Sequence, residues 1–370
     1  MDLPYYTDPT VTLHTGDVTE ILAALPDQSV HCVVTSPPYW GLRDYGTGTW
    51  IGGQVDCAHS VRRPTDTGQS GDPCVDNLAS PVRRDPTPPV CRRCGATRKD
   101  RQYGLETTPE DYVDTLRGVF TQLRRVLVDT GTVWLNLGDC YSSEPPGRSA
   151  DAMRASTLSG RAVATVMRES IQSAGVRRTG VLPHKNLLGM PWRVAFALQT
   201  DGWILRNAII WHKTNAMPES VRDRLSTRYE ILFLFAKQAR YFFDLEPIRE
   251  PFIRREAATM RPAGRQHAAA HSRGKNPGDV WSIPTRPLRA AHLAAFPIDI
   301  PLRCVAASCP PDGVVLDPFS GAATTGLAAR QLGRRYIGID LNPEFHNIAL
   351  HRLGLTPSRV EEPGSPRRTA

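Results

Sequence analysis

Short apolar runs rich in β-branched residues recur along this chain with helix-period stretches between them, and that alternation restricts the fold more than any other feature. Val11–His14, Cys32–Thr35, Thr132–Leu137, Asn207–Trp211, Ile231–Ala236, Val314–Leu316 and Tyr336–Ile339 read as core strands. Thr108–Leu127, Leu187–Asp201 and Thr324–Leu332 read as helices, and the first carries Tyr112, Leu116, Val119, Phe120, Leu123 and Leu127 at helical spacing. Strands that alternate with helices predict an α/β fold, a mostly parallel sheet covered by helices. An apolar fraction of 40% in 370 residues can fill such a core.

Three stretches break the rhythm. Residues 47–100 are rich in Gly, Pro, Asp and Arg and hold four of the eight cysteines. Residues 142–185 and 246–279 are polar and arginine-rich. Long irregular segments inside an α/β domain are usually functional or disordered. The reading is one catalytic domain over residues 1–355 with these insertions, followed by a disordered tail at 356–370. No apolar run approaches the ~18 residues of a membrane span, and Met1–Tyr6 lacks the basic and apolar regions of a signal peptide. The expectation is therefore a cytoplasmic protein without membrane contact, its cysteines reduced or metal-bound. The net charge of +8 suits a polyanionic partner.

Two segments carry chemistry. Near the C-terminus Val314-Val315-Leu316-Asp317-Pro318-Phe319-Ser320-Gly321 runs from a buried strand into a small-residue turn, and Thr324 opens a helix. Such a turn lets backbone approach a ligand at the carboxyl end of a parallel sheet. The next strand ends in Asp340, an acid able to accept hydrogen bonds from both ribose hydroxyls of an adenosine ligand. Taken alone, this pattern also fits a purely structural strand–turn–helix.

Far upstream a strand ends in Thr35-Ser36-Pro37-Pro38-Tyr39-Trp40. Two prolines remove two backbone donors and leave the local carbonyls as unmatched acceptors. Ser36 Oγ and the Pro37 carbonyl can accept both N–H groups of a planar amine while Tyr39 stacks on its ring. Those hydrogen bonds localise a nitrogen lone pair otherwise conjugated into the ring. No strong base is needed, because a methylated amine cation is acidic and releases its proton afterwards.

Ser36-Pro37-Pro38-Tyr39 resembles the catalytic motif of the amino-methylating DNA methyltransferases, and Asp317-Pro318-Phe319-Ser320-Gly321 resembles their cofactor motif. The catalytic motif comes first here, which is similar to the permuted β-class of the N4/N6 DNA methylase family. His14–Asp17, Leu135–Asp139, Lys185–Arg193 and Gly278–Trp281 extend the resemblance, which covers roughly residues 10–46, 101–141, 186–245 and 278–352. It implies a Rossmann-like S-adenosylmethionine-dependent methyltransferase fold: a mostly parallel seven-stranded sheet with circularly permuted motif order. It also implies that Asp317, Phe319 and Gly321 line the methionine-bearing side of S-adenosylmethionine, with Pro318 and Thr324 in the same turn. Asp340 would hold the ribose, Asp17 the adenine amino group, and His292, Phe296 and Pro297 a covering segment. One departure is Ala323, where the family commonly has a second glycine. Ser at the first catalytic position resembles the cytosine-N4 enzymes, whereas adenine-N6 enzymes more often carry Asp or Asn.

Within residues 47–100, Cys57-Ala58-His59 and Cys91-Arg92-Arg93-Cys94-Gly95 have the spacing of two halves of a structural zinc site, with Cys74 as a substitute for His59. The target of the predicted chemistry is a base flipped from double-stranded DNA. The segments 142–185 and 246–279 are the candidate target-recognition elements. The expected protein is a bacterial or phage-encoded, nucleoid-associated monomer or homodimer, either an orphan or the partner of a restriction endonuclease encoded elsewhere. The leading expectation is methylation of cytosine N4, and the alternatives are an adenine-N6 DNA methyltransferase, an RNA methyltransferase and a non-catalytic DNA-binding protein.

Overall fold

The computed structural model describes residues 3–41, 45–59, 90–142, 182–183, 185–251, 274–286 and 295–356. The tail beyond 356 and most of the two arginine-rich segments lie outside the described residues. The strands are β1 (Tyr6–Thr7), β2 (Val11–Thr15), β3 (Val30–Thr35), β4 (Thr49–Ile51), β5 (Thr97–Lys99), β6 (Leu127–Leu137), β7 (Ile204–His212), β8 (Tyr229–Ala236), β9 (Val280–Ser282), β10 (Val314–Asp317) and β11 (Arg335–Asp340). The helices are α1 (Val18–Ala24), α2 (Pro109–Val126), α3 (Met190–Thr200), α4 (Asp299–Ser308), α5 (Thr324–Gln331) and α6 (Pro343–Leu353), and a 3₁₀ turn spans Glu246–Ile248. No described helix is long and apolar enough to cross a membrane.

Nine strands form one sheet in the order β1-β2-β11-β10-β3-β6-β8-β7-β9. The seven expected strands occupy its middle, and the short β1 and β9 extend its edges beyond the seven read from sequence. β2, β11, β10, β3 and β6 run parallel. β8 is antiparallel to both β6 and β7. Side chains alternate across the pleat: Val33, Val133, Leu135, Phe233 and Leu316 enter one core cluster with Leu22, Leu116 and Val194. Cys32, Val34, Trp134, Leu234 and Val315 enter the other, with Cys304, Ala329 and Leu350. So α1–α3 cover one face and α4–α6 the other.

Local chemistry sets the helix boundaries. Thr108 and Asp111 form a reciprocal capping box at the start of α2, and Pro109 follows at a position that needs no donor. The helix read from Leu187 starts at Met190, because Gly189 is left-handed at φ 68° and Leu187 bridges Tyr141 instead. α1, α4 and α6 were not read from sequence. α1 spans only seven residues, and α4 and α6 only ten and eleven, too short for a long periodic signal.

Motif order in the chain is undone by the sheet. β10 pairs with β3 through Val315–Cys32 and Leu316–Val33, which sets the turn after β3 beside the turn after β10. The connections leave β10 towards β11 on one side and meet β3 on the other, the arrangement that opens a crevice at the carboxyl ends of strands. Gly326 lets α5 lie close to β11: a Cβ there would come within 2.5 Å of the fully buried Tyr336 ring. Gly326→Ala should therefore cost about 1–3 kcal/mol by overpacking, whereas Gly118→Ala on the exposed side of α2, with nothing within 4 Å, should gain about 1 kcal/mol of helix propensity. Urea denaturation of the two variants checks the opposite signs.

Candidate functional site

The ends of β2, β3, β6, β7, β8, β10 and β11 meet around one cavity of about 360 Å³, within the usual range for small-molecule sites. Of the residues singled out from sequence, Asp17, Ser36, Pro37, Pro38, Tyr39, Phe296, Asp317, Pro318, Phe319, Gly321, Thr324 and Asp340 all border it. Pro297 is buried next to Phe296 but is not part of that lining. His292 lies outside the described residues.

Asp317 is the buried joint between the two motifs. Its Oδ1 accepts from Thr35 Oγ1 at 2.7 Å and from the Phe319 N–H at 3.1 Å, and its Oδ2 accepts from Thr325 Oγ1 at 2.8 Å. One carboxyl thus ties β3, the turn and α5 together. Burial pushes it up to about 6, against the opposing pull of those hydrogen bonds. The turn itself places Gly321 and Ala323 in left-handed backbone at φ 49° and 54°. For alanine that conformation costs roughly 1–2 kcal/mol, so Ala323 adopts the geometry a glycine would suit, with its methyl fully buried.

Asp340 closes the next strand. Oδ2 accepts from the Gly321 N–H at 2.8 Å and Oδ1 from the Asn342 N–H at 2.9 Å. The Leu341 N–H donates to the same carboxyl, and of its roughly four lone-pair sites these three donors leave about one open. Burial pushes this carboxyl up to about 6 as well, against the pull of the Asn342, Gly321 and Leu341 backbone N–H groups. Asp17 caps α1, accepting from the Thr19 and Glu20 N–H groups. The Phe319 ring meets Tyr103 edge-on at 5.2 Å, and Tyr45 meets Phe345 edge-on at 6.1 Å, so aromatic edges and faces enclose this half of the cavity.

At the other end Ser36 donates to the Tyr39 hydroxyl at 3.3 Å, and Tyr39 donates to Glu230 Oε2 at 2.6 Å. Asn136 Nδ2 reaches both Tyr39 Oη and Glu230 Oε2 at 2.7 Å. Lys213 pairs with Glu230 Oε1 and lies 4.9 Å over the Trp211 ring. Burial first, then the adjacent Glu230, hold the Tyr39 phenol well above its usual range, so it stays neutral. A Cβ on Gly138 would strike the Tyr39 ring at 2.5 Å, so that glycine lets the ring lie against backbone. The Pro38 carbonyl accepts from Tyr112 Oη at 3.0 Å. Among the described residues no donor reaches the Pro37 carbonyl, and Asn136 Oδ1 is buried without a partner. Glu230 and Lys213 were missed by the sequence reading. The signal was the acid heading an otherwise apolar strand.

Outside this cavity Cys57, His59, Cys91 and Cys94 come together, their ligand atoms within 4.8 Å of one another. Cys74 lies outside the described residues. Cys32, Cys304 and Cys309 are buried.

The profile of a family described as DNA methylase matches residues 30–351. The Type II methyltransferase M.Cfr9I of Citrobacter freundii is 36% identical in an alignment covering 92% of this chain and 87% of that protein. The Type II methyltransferase M.XycI of Xanthomonas campestris pv. cyanopsidis is 37% identical with the same coverage, 92% and 87%. Among solved structures, the PvuII DNA methyltransferase (cytosine-N4-specific) shares the fold, with a TM-score of 0.55 at 16% identity over 94% of this chain and 88% of that one.

Proposed function

The chain belongs to the N6/N4 family of DNA methylases, and within it we propose a Type II modification enzyme that methylates the exocyclic amine of a flipped base in double-stranded DNA, N4 of cytosine, using S-adenosylmethionine. The observation that carries the reading is that Ser36 and Pro37 border the same cavity as Gly321 and Asp340. An amine acceptor set and an adenosine-sized half-pocket therefore share one enclosure.

The residues present fit the donor. Asp340 is a half-buried carboxylate on the cavity wall that the Gly321, Asn342 and Leu341 N–H groups leave with acceptor capacity to spare, which suits a ribose hydroxyl. Asp17, Phe319 and Gly321 would hold the rest, and Phe296 would cover it. S-adenosylmethionine, when bound, supplies an electrophilic sulfonium methyl. The chain's own task is to present the amine. Ser36 Oγ sends its proton to Tyr39 and receives only a long 3.5 Å hydrogen bond from Asn136 Nδ2, so it keeps capacity to accept. With the Pro37 carbonyl and the unpartnered Asn136 Oδ1 it offers acceptors for the two N–H groups of the base. Accepting those hydrogens draws the nitrogen lone pair out of ring conjugation. The Lys213–Glu230 pair holds Tyr39 and Asn136 in place, and no strong base is required. A base inside a duplex cannot enter this enclosure, so the target must leave the stack. The segments 142–185 and 246–279 are proposed to contact the DNA, and a cognate endonuclease would be encoded elsewhere.

Serine at position 36 is the feature that favours cytosine N4. Mass spectrometry of nucleosides from DNA incubated with the protein and S-adenosylmethionine should yield N4-methylcytosine. N6-methyladenine would overturn the choice of base, and absence of methylation on varied DNA would overturn the reading itself. Ser36→Ala should lower turnover on the order of 10²-fold, the scale for removing one group that acts on the reacting atoms, with cofactor affinity retained in calorimetry.

Asp340 gives a pH test. Its folded value of about 6 exceeds the ordinary 3.8, so between those values the native state holds more protons than the unfolded chain. Its contribution to stability therefore falls as pH rises through that window. Ribose hydroxyls donating to the ionised form offset this loss. The rise in Tm on adding S-adenosylhomocysteine should accordingly grow from pH 5 to pH 7, and Asp340→Ala should abolish that growth and weaken binding about 10- to 100-fold.

A further inference from the structure

The cluster of Cys57, His59, Cys91 and Cys94 is built, not incidental. Cys57 Sγ and Cys91 Sγ are 3.8 Å apart, and His59 Nε2 is 3.1 Å from Cys94 Sγ. Zinc–sulfur bonds of about 2.3 Å in a tetrahedron set neighbouring sulfurs about 3.8 Å apart. The Cys91–Cys94 turn is closed by Gly95 N–H to the Cys91 carbonyl at 2.8 Å and Cys91 N–H to the Ala96 carbonyl at 2.7 Å, with Gly95 left-handed at φ 73°. Backbone hydrogen bonds from Ala96 and Gln54 meet the Cys94 sulfur. Gly53 leaves the room for it, since a Cβ there would lie 2.6 Å from Cys94 Sγ. The His59 ring stacks on Trp50 at 4.9 Å, which fixes its direction.

The position of the cluster gives it a purpose. Trp50 lies in β4, which pairs only with β5 in a two-stranded sheet three residues long. An isolated ribbon of that size is not stable on its own. Its near end nevertheless borders the main cavity, through Tyr45, Thr47, Gln102 and Tyr103. Asp100 joins the two sides, accepting from Thr47 Oγ1 at 2.7 Å and from the Gln102 N–H at 3.1 Å. Gln102 Oε1 accepts from the Tyr45 N–H at 2.6 Å.

We propose that Cys57, His59, Cys91 and Cys94 hold a structural zinc ion, and that this ion fixes the ribbon whose near end is one wall of the methyl-transfer cavity. Three thiolates and an imidazole in a closed tetrahedron select zinc over hard cations and leave no position for catalytic water. The wall half of the proposal rests on the methyl-donor reading of the cavity, and the metal half stands apart from it.

The test uses the full chain. Metal analysis of the purified protein should give about one zinc per chain, and exchange with cobalt should produce the visible absorption of a tetrahedral thiolate site. A folded protein with neither zinc nor that absorption overturns the metal site, and stoichiometric iron overturns its identity. The double variant Cys91→Ser, Cys94→Ser should lose the metal and bind S-adenosylhomocysteine at least about tenfold more weakly, while its far-ultraviolet circular dichroism is retained. Chelation of the wild-type protein should give the same loss of affinity even if the variant fails to fold. Unchanged affinity after metal loss overturns the wall. Wild-type protein that holds zinc but binds no S-adenosylhomocysteine overturns the methyl-donor reading and the wall with it, and leaves the metal site standing.

Discussion

The buried carboxyl of Asp317 is the joint on which the site depends. Sequence separates Thr35 from Asp317 by 282 positions, yet their side chains share a 2.7 Å hydrogen bond beneath the cavity floor. Thr325 holds the other oxygen, so the same carboxyl sets the angle between β10 and α5. Without this joint the serine–proline turn and the turn that follows Asp317 would each be a loop on a strand end. Their relative placement would then rest on backbone pairing alone. A buried acid is a costly way to make such a joint, as its elevated value shows, but it gives directions that an apolar contact cannot.

Around that joint the cavity divides into an anionic half and an acceptor half. Asp340 and the capped start of α1 define the first, and Ser36, the Pro37 carbonyl and Asn136 define the second. The Lys213–Glu230 pair lines the acceptor half as well and comes from the ends of the antiparallel strands β7 and β8. Both the parallel and the antiparallel parts of the sheet therefore line the cavity, and the antiparallel part also braces Tyr39 and Asn136 through Glu230.

Much of this was legible in the sequence because strand ends with unusual chemistry are short and local. Ser36–Tyr39 and Asp317–Gly321 stand out by their prolines and glycine, and the register of the sheet then joins them. The Glu230–Lys213 brace was not legible. Its members lie on different strands, and the apolar run that defines β8 was read from Ile231, one residue too late to include the acid. The wall formed by Tyr45, Thr47, Gln102 and Tyr103 was hidden for another reason. β4 and β5 are too short to carry a periodic signal, and they meet across residues that read as an irregular insertion. Asp17 had been marked for ligand contact, whereas the structure also gives it a capping duty that its residue type could have suggested.

The permuted strand order has a consequence for how the protein is made. β10 and β11 are the last of the described strands but fill the middle of the sheet, between β3 and β2. While a ribosome is still translating the preceding three hundred residues, β3 presents an open hydrogen-bonding edge on the side where β10 will insert. Such edges invite pairing with other chains, so the nascent polypeptide passes through a vulnerable interval that ends only when its final strands emerge. The same order means that a prematurely terminated product keeps the serine–proline turn but has no floor beneath it.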